Sequence, residues 1–226
     1  MEQEKKNIIF CIPGNIFSNR FLSCWTNLVF WCIKNNINPI LSGGVDSNVY
    51  FVRSKILGGN TLRGVNQKPF NGTVNYDYIM FIDSDVIFKP EDLEKLLLMN
   101  ENVCCGAYLM NGGTHYPIVE EFNNKYFLKN GSFEFLSLEN LRKRKKPFNV
   151  EYCGMGFMLI KKNIIEQLEY PWFYANMFDF GNNVKEFTSE DVSFCMSLTK
   201  KNYNIVINPE VKVGHEKSIV FIDNTN

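Results

Sequence analysis

The sequence predicts an α/β fold in which a mostly parallel central sheet is flanked by helices. Three observations predict it. Short apolar runs alternate with stretches of helical periodicity along most of the chain. The run YIMFI at Tyr78–Ile82 is apolar throughout, too apolar for a strand with one wet face, and so reads as a central strand covered on both sides. It stops at Asp83-Ser84-Asp85. Charge therefore gathers where a buried strand ends, and in open α/β sheets ligands bind beyond the carboxyl ends of the strands.

The elements follow in order. NIIFCIPGN is a buried first strand ended by Pro13-Gly14. Between Arg20 and Asn35, Phe21, Trp25, Leu28 and Cys32 recur at helical spacing. INPILSGG is a second strand closed by Gly43-Gly44, and DSNVYFVRSKILGG a second helix, capped by Asp46 or Ser47 and stopped at Gly58-Gly59. After the acidic triplet, KPEDLEKLLLMN is a helix with Pro90 and acids in its first turn. NVCCGAYLM is another buried strand. The stretch Asn111 to Val150 is irregular, with a hairpin candidate around Asn130-Gly131 and a basic run from Arg142 to Lys146. YCGMGFMLIKKNIIEQL reads as glycines, a strand and a helix. TSEDVSFCMSLTKKNY is a capped helix whose apolar face is Phe194, Cys195 and Leu198, and NIVINPEVKVGHEKS a final strand and a tail holding His215.

A length of 226 residues suits one domain, and 45% hydrophobic with 21% charged residues is enough to bury a core. The formal net charge is zero, which argues against nucleic acid as a partner. The seven cysteines are odd in number, form no CxxC pair and fall mostly in apolar runs. They read as reduced, buried thiols of a cytoplasmic protein, and their spacing does not suit a zinc knuckle. The opening MEQEKKNIIF is charged and then only briefly apolar, unlike a secretory signal, and no stretch has the length of a bilayer span.

Alternate residues of an extended stretch share a face, so Asp83 and Asp85 can point the same way. Two carboxylates so placed repel unless a cation joins them. A hard divalent cation, Mg²⁺ or Mn²⁺, takes carboxylate oxygens and keeps positions open for phosphate. The pair also suits a cap for the next helix or a solvated turn. His215 is a competent further ligand, or a packed histidine. Glu190 and Asp191 open a helix, where acids suit the dipole and where a general base can face a cleft. Gly154 and Gly156 form a tight segment that admits either a ligand or a strand entry. Arg142–Lys146 is a solvated loop, or a peripheral contact for anionic lipid or glycan.

IIFCIPGN, FIDSDVIF, CGMGFMLIKKNIIEQL and SEDVSFCMSLTKKNYNIVINPEVKVGH, in that order, resemble the GT-A glycosyltransferases, especially family 2-like enzymes. The size is similar to that of small stand-alone bacterial or large-virus members. The resemblance implies a single nucleotide-diphospho-sugar transferase domain over 1–226, with residues 1–110 the nucleotide-sugar half and 111–226 the acceptor half. It implies transfer of a sugar from a nucleotide-sugar, with uracil the commonest base, to a hydroxyl of a glycan, lipid or protein. Asp85 and His215 would hold Mn²⁺ or Mg²⁺, and Asp83 would serve the ribose, or the metal through water. Ser84 belongs to the same motif. Pro13 and Gly14 would flank the base, and Arg53 would sit near the diphosphate, although Arg53-Ser54 replaces the family's usual Arg-Asn pair. Asp191 would be the base of an inverting reaction with Glu190 beside it, and Trp172 and Phe173 would lie near the acceptor. Cytoplasmic nucleotide-sugar supply points to the cytoplasm, the host's if the chain is viral. Two other readings use the same acids: a sugar nucleotidyltransferase, and a non-catalytic nucleotide- or sugar-binding module.

Overall fold

A computed structural model describes residues 5–218 of the chain. β1 (Lys6–Pro13) leads through Ser18, whose Oγ accepts the Phe21 N–H at 3.1 Å, into α1 (Asn19–Lys34). β2 (Ile37–Gly44) and α2 (Val49–Ile56) follow. The cap of α2 is Asn48, whose side chain accepts the Tyr50 N–H, and not Asp46 or Ser47. Asp46 is drawn instead to Lys55. β3 (Tyr78–Ile82) is buried along its whole length and ends at the acidic triplet, and β4 (Val86–Ile87) emerges beyond it. α3 (Pro90–Met99) has its expected first turn, where Asp92 accepts the Lys89 N–H at 2.8 Å. β5 (Val103–Ala107) is the strand expected from VCCGA.

The irregular region holds β6 (Ile118–Val119), α4 (Asn124–Asn130), α5 (Leu138–Lys143) and β7 (Phe148–Val150). The expected hairpin at Asn130-Gly131 is the end of α4. Gly131, at φ 68°, is its left-handed cap, and a helix C-cap asks for the same residue pair as a hairpin turn. β8 (Tyr152–Cys153) and β9 (Phe157–Lys161) follow. The helix expected after β9 is one 3₁₀ turn, Ile165–Gln167. Ile164, Ile165 and Leu168 are buried together, so the apolar run marks burial and not helical length. A hairpin absent from the sequence reading follows: β10 (Met177–Gly181) and β11 (Val184–Phe187). It turns on Asn182 and Asn183, both at positive φ. α6 (Glu190–Lys200), β12 (Ile205–Lys212) and β13 (Gly214–His215) complete the described chain.

The central sheet has the order β2-β1-β3-β9-β5-β12-β7. β1 pairs in parallel with β2 and β3, and β5 with β12, while β9 runs antiparallel between β3 and β5 and β7 antiparallel at the edge. Five of the seven strands therefore point one way, and their carboxyl ends share one edge. Alternation along β3 divides the core. Ile79 and Phe81 pack with Val52, Ile56, Phe194 and Leu198 of α2 and α6. Tyr78, Met80 and Ile82 pack with Phe21, Leu28, Leu93 and Leu96 of α1 and α3. Each such side chain contributes about 1.5–3 kcal/mol when fully buried. Both layers thus hold β3 rigid and fix where the acidic triplet stands.

Candidate active site

Pro13, Gly14, Arg53, Asp83, Ser84 and Asp85 line one cavity of about 320 Å³ beyond the ends of β1 and β3. Gly14 has φ 134°, and a Cβ there would stand 2.7 Å from Ser84 Oγ. Glycine alone lets the β1 loop close on the triplet. α2 delivers Arg53, which is buried (3% exposed) although charged. Its Nη2 lies 2.9 Å from Asp83 Oδ1 and donates to Oδ2 at 3.1 Å, and its Nε donates to Glu190 Oε1 at 3.1 Å. Nη1 is buried without a hydrogen-bond partner. Arg53 thus joins the end of β3 to the start of α6. Burial and the neighbouring Asp191 charge push the Glu190 carboxyl above its ordinary range, and Arg53 opposes them. Asp83, expected at the ribose or metal, is held by Arg53, and Glu190, expected beside the base, is the second anchor of the same guanidinium.

Asp85 stands apart from this pair. Its Oδ2 lies 3.3 Å from His215 Nε2 and 2.6 Å from Lys217 Nζ. His215 arrives because β13 pairs antiparallel with β4, His215 opposite Val86. Its Nδ1 lies 2.7 Å from the Leu109 carbonyl, so Nδ1 carries the proton and Nε2 faces Asp85. Support of this kind from a carbonyl fixes the tautomer of a metal-binding imidazole. Burial alone would raise Asp85, but the hydrogen bonds from His215 and Lys217 prevail and hold it at about 2. The Asp85 hydrogen bond raises His215 against an opposing effect of burial, helped by the Leu109 carbonyl.

The pairing favours the protonated imidazole. Its contribution to stability is complete below the unfolded histidine value of about 6.5 and is lost as pH rises through the raised folded value. Asp85→Asn will therefore lower the melting temperature of metal-free protein more at about pH 5.5 than at about pH 8.5. Equal losses at both values would show that His215 carries no charge beside Asp85.

Gly154 and Gly156 serve Tyr108. A Cβ on Gly154 would lie 2.1 Å from Tyr108 Oη, one on Gly156 2.9 Å from its ring, and the Gly156 N–H donates to that hydroxyl at 3.1 Å. The space expected for a ligand is filled by this ring. Tyr108 packs edge-on against His215, with centroids 5.1 Å apart, so the glycines act on the site by buttressing its histidine.

Asp191 opens α6. Its Oδ2 accepts the Tyr152 hydroxyl at 3.0 Å, and its Oδ1 accepts the Val192 N–H at 2.8 Å and the Ser189 hydroxyl. Next to Tyr152, Glu151 lines a second cavity of about 880 Å³, shared with Phe122, Glu134, Phe135 and Phe178. Trp172 and Phe173, expected on the acceptor side, are 1% and 2% exposed. Phe173 packs between Phe81 and Phe194, so both are core residues behind the site. In the basic run, Arg144 is paired with Glu120 and lies over Phe148, and Lys143 pairs with Glu139. Among the described residues no helix is long and apolar enough to cross a membrane. The sequence reading missed Tyr108, Tyr152 and Lys217. Only Lys217, two residues beyond His215, had a local signal.

Residues 72–169, a little under half of the chain, match the sequence model of Glycosyl transferase family 2. A197 from STIV, a solved structure, is 17% identical, with 97% of this chain and 100% of that chain covered and a TM-score of 0.55. GalNAc-T7, solved with UDP, GalNAc and Mn²⁺, is 8% identical, with 95% and 44% covered and a TM-score of 0.49. The inositol-1-phosphate CTP transferase from T. maritima is 8% identical, with 96% and 91% covered and a TM-score of 0.44. No curated protein matches the chain. The chain thus shares its α/β fold with A197 from STIV, and its middle part resembles Glycosyl transferase family 2.

Proposed function

We propose that this chain is a metal-dependent glycosyltransferase that takes a nucleotide-diphosphate sugar, a UDP-sugar first among those to test, and passes the sugar to a hydroxyl acceptor with inversion. The observation that carries the reading is the convergence of Asp85 Oδ2 and His215 Nε2, 3.3 Å apart, beside the cavity at the carboxyl end of the sheet. A carboxylate oxygen and an imidazole nitrogen freed by the Leu109 carbonyl fit Mn²⁺ or Mg²⁺. Among the described residues no third His, Cys, Asp or Glu joins them, which leaves positions for phosphate oxygens. When bound, such an ion neutralises charge on the departing diphosphate.

Pro13 and Gly14 flank the base, with Ser84 closing against Gly14. Asp83, fixed by Arg53, faces the ribose. Asp191, oriented by Tyr152 and the Val192 N–H, takes the proton of the acceptor hydroxyl as its oxygen attacks the anomeric carbon. The 880 Å³ cavity, which Glu151 lines next to Tyr152, is the candidate for the acceptor. The compartment that suits this reaction is the cytoplasm, the host's if the chain is viral, where such donors are made.

Thermal melting against nucleoside diphosphates and their sugars, with Mn²⁺, Mg²⁺ or chelator, tests the donor site. A ligand at a hundred times its dissociation constant adds about 2.7 kcal/mol of apparent stability. The expected result is a shift that needs the metal and is lost in Asp85→Ala. Absence of any shift in well-folded protein would overturn the assignment. Release of UDP from the best donor, without exchange of pyrophosphate, separates transfer of the sugar from nucleotidyl transfer.

A further inference from the structure

We propose that Lys217 is a tethered cation of the donor site: it neutralises Asp85 while no metal is bound, and moves onto the diphosphate when a metal takes Asp85. The inference rests on the donor-site reading above. The Lys217 ammonium lies 2.6 Å from Asp85 Oδ2, the same oxygen that faces His215 Nε2 at 3.3 Å. A metal joining Asp85 Oδ2 to His215 Nε2 would bind the oxygen that the Lys217 ammonium now holds, so the two cations would compete for it.

The backbone around the lysine is clamped. His215 pairs with Val86, and the Glu216 N–H donates to the Asp85 carbonyl at 2.7 Å. The head of Lys217 therefore stays within reach of Asp85 in either position, on a flexible four-carbon stem that is partly solvent-exposed. The charge of Arg53 is already divided between Asp83 and Glu190. Arg20, largely exposed, pairs with Glu216 instead. With Asp46, Asp83 and Asp85 lining the cavity, a diphosphate adds more negative charge to an acidic cleft. Lys55 and Lys217 each pair with an acid of the cavity, Asp46 and Asp85, and Lys217 is the one on the oxygen that faces His215.

The test compares wild type, Lys217→Ala and Lys217→Arg in two binding measurements, after melting curves show that all are folded. Free Mn²⁺ is followed by its electron paramagnetic resonance signal without nucleotide, and UDP and GDP binding by calorimetry at saturating Mn²⁺, with chelator as the control. Lys217→Ala is expected to bind free Mn²⁺ about fivefold more tightly, because the competing cation is gone, and, with Mn²⁺ at saturation, UDP or GDP about fivefold more weakly. Lys217→Arg should retain diphosphate binding. Unchanged Mn²⁺ affinity in Lys217→Ala, or unchanged diphosphate affinity, would overturn the proposal. So would a wild type that binds no Mn²⁺. A wild type that binds Mn²⁺ but neither diphosphate, with or without the ion, would instead overturn the donor-site reading.

Discussion

Asp191→Asn is expected to lower the turnover number by about 10²–10⁴-fold while leaving affinity for the nucleotide-sugar unchanged. The substitution keeps the shape of the side chain, and its carbonyl oxygen still accepts a hydrogen bond as Asp191 does from Tyr152 or Val192. It removes the basic oxygen. The neighbouring Glu190 provides the contrast, because it is buried and bonded to Arg53. Glu190→Gln should weaken that bond and lower the melting temperature with a far smaller effect on the chemical step. Steady-state rates at saturating acceptor, with calorimetry for the donor, distinguish the two. Full turnover in Asp191→Asn would remove it as the base. A collapse of turnover in Glu190→Gln at unchanged stability would transfer the role to Glu190.

What the sequence discloses depends on how local the cause is. β1, β3 and β5 were legible because burial on both faces leaves an apolar string along most of each, and β12 because it opens on the buried run Ile205-Val206-Ile207. The acidic triplet was legible because charge interrupts such a string. Asn130-Gly131 misled because a helix cap and a hairpin turn require the same left-handed backbone. The Asn182-Asn183 turn had a signal that apolar alternation did not reinforce, since Val184–Phe187 is exposed. The glycines of CGMGF announced a close approach but not its partner. That partner is Tyr108, nearly fifty positions earlier. The bond between Arg53 and Glu190 spans 137 positions. Nothing near Arg53 shows that its charge is used inside the protein.

That internal use has the largest expected effect on stability. Arg53→Met is expected to destabilise the fold by about 3–5 kcal/mol, because two carboxylates lose the one cation they share. For a chain of this length the loss corresponds to a fall of about 6–20 °C in melting temperature. Arg53→Lys should recover only part of it, since a single ammonium cannot reproduce the fork that reaches Asp83 through Nη2 and Glu190 through Nε. The loss should also depend on pH with a definite sign. Glu190 is already pushed upward by burial and by Asp191, with Arg53 opposing, so removing Arg53 raises it further. A carboxyl raised in the folded state favours folding when protonated, and that advantage disappears as pH climbs through the folded value. The defect of Arg53→Met should therefore shrink as pH falls toward about 4.5 and be full near neutrality. The double variant Arg53→Met with Glu190→Gln should recover part of the stability at neutral pH, because the buried charge is removed with its partner. Melting curves of the three variants across pH decide the matter. A wild-type melting temperature in Arg53→Met would mean that Asp83 and Glu190 are solvated in solution, and that Arg53 is free to face the diphosphate.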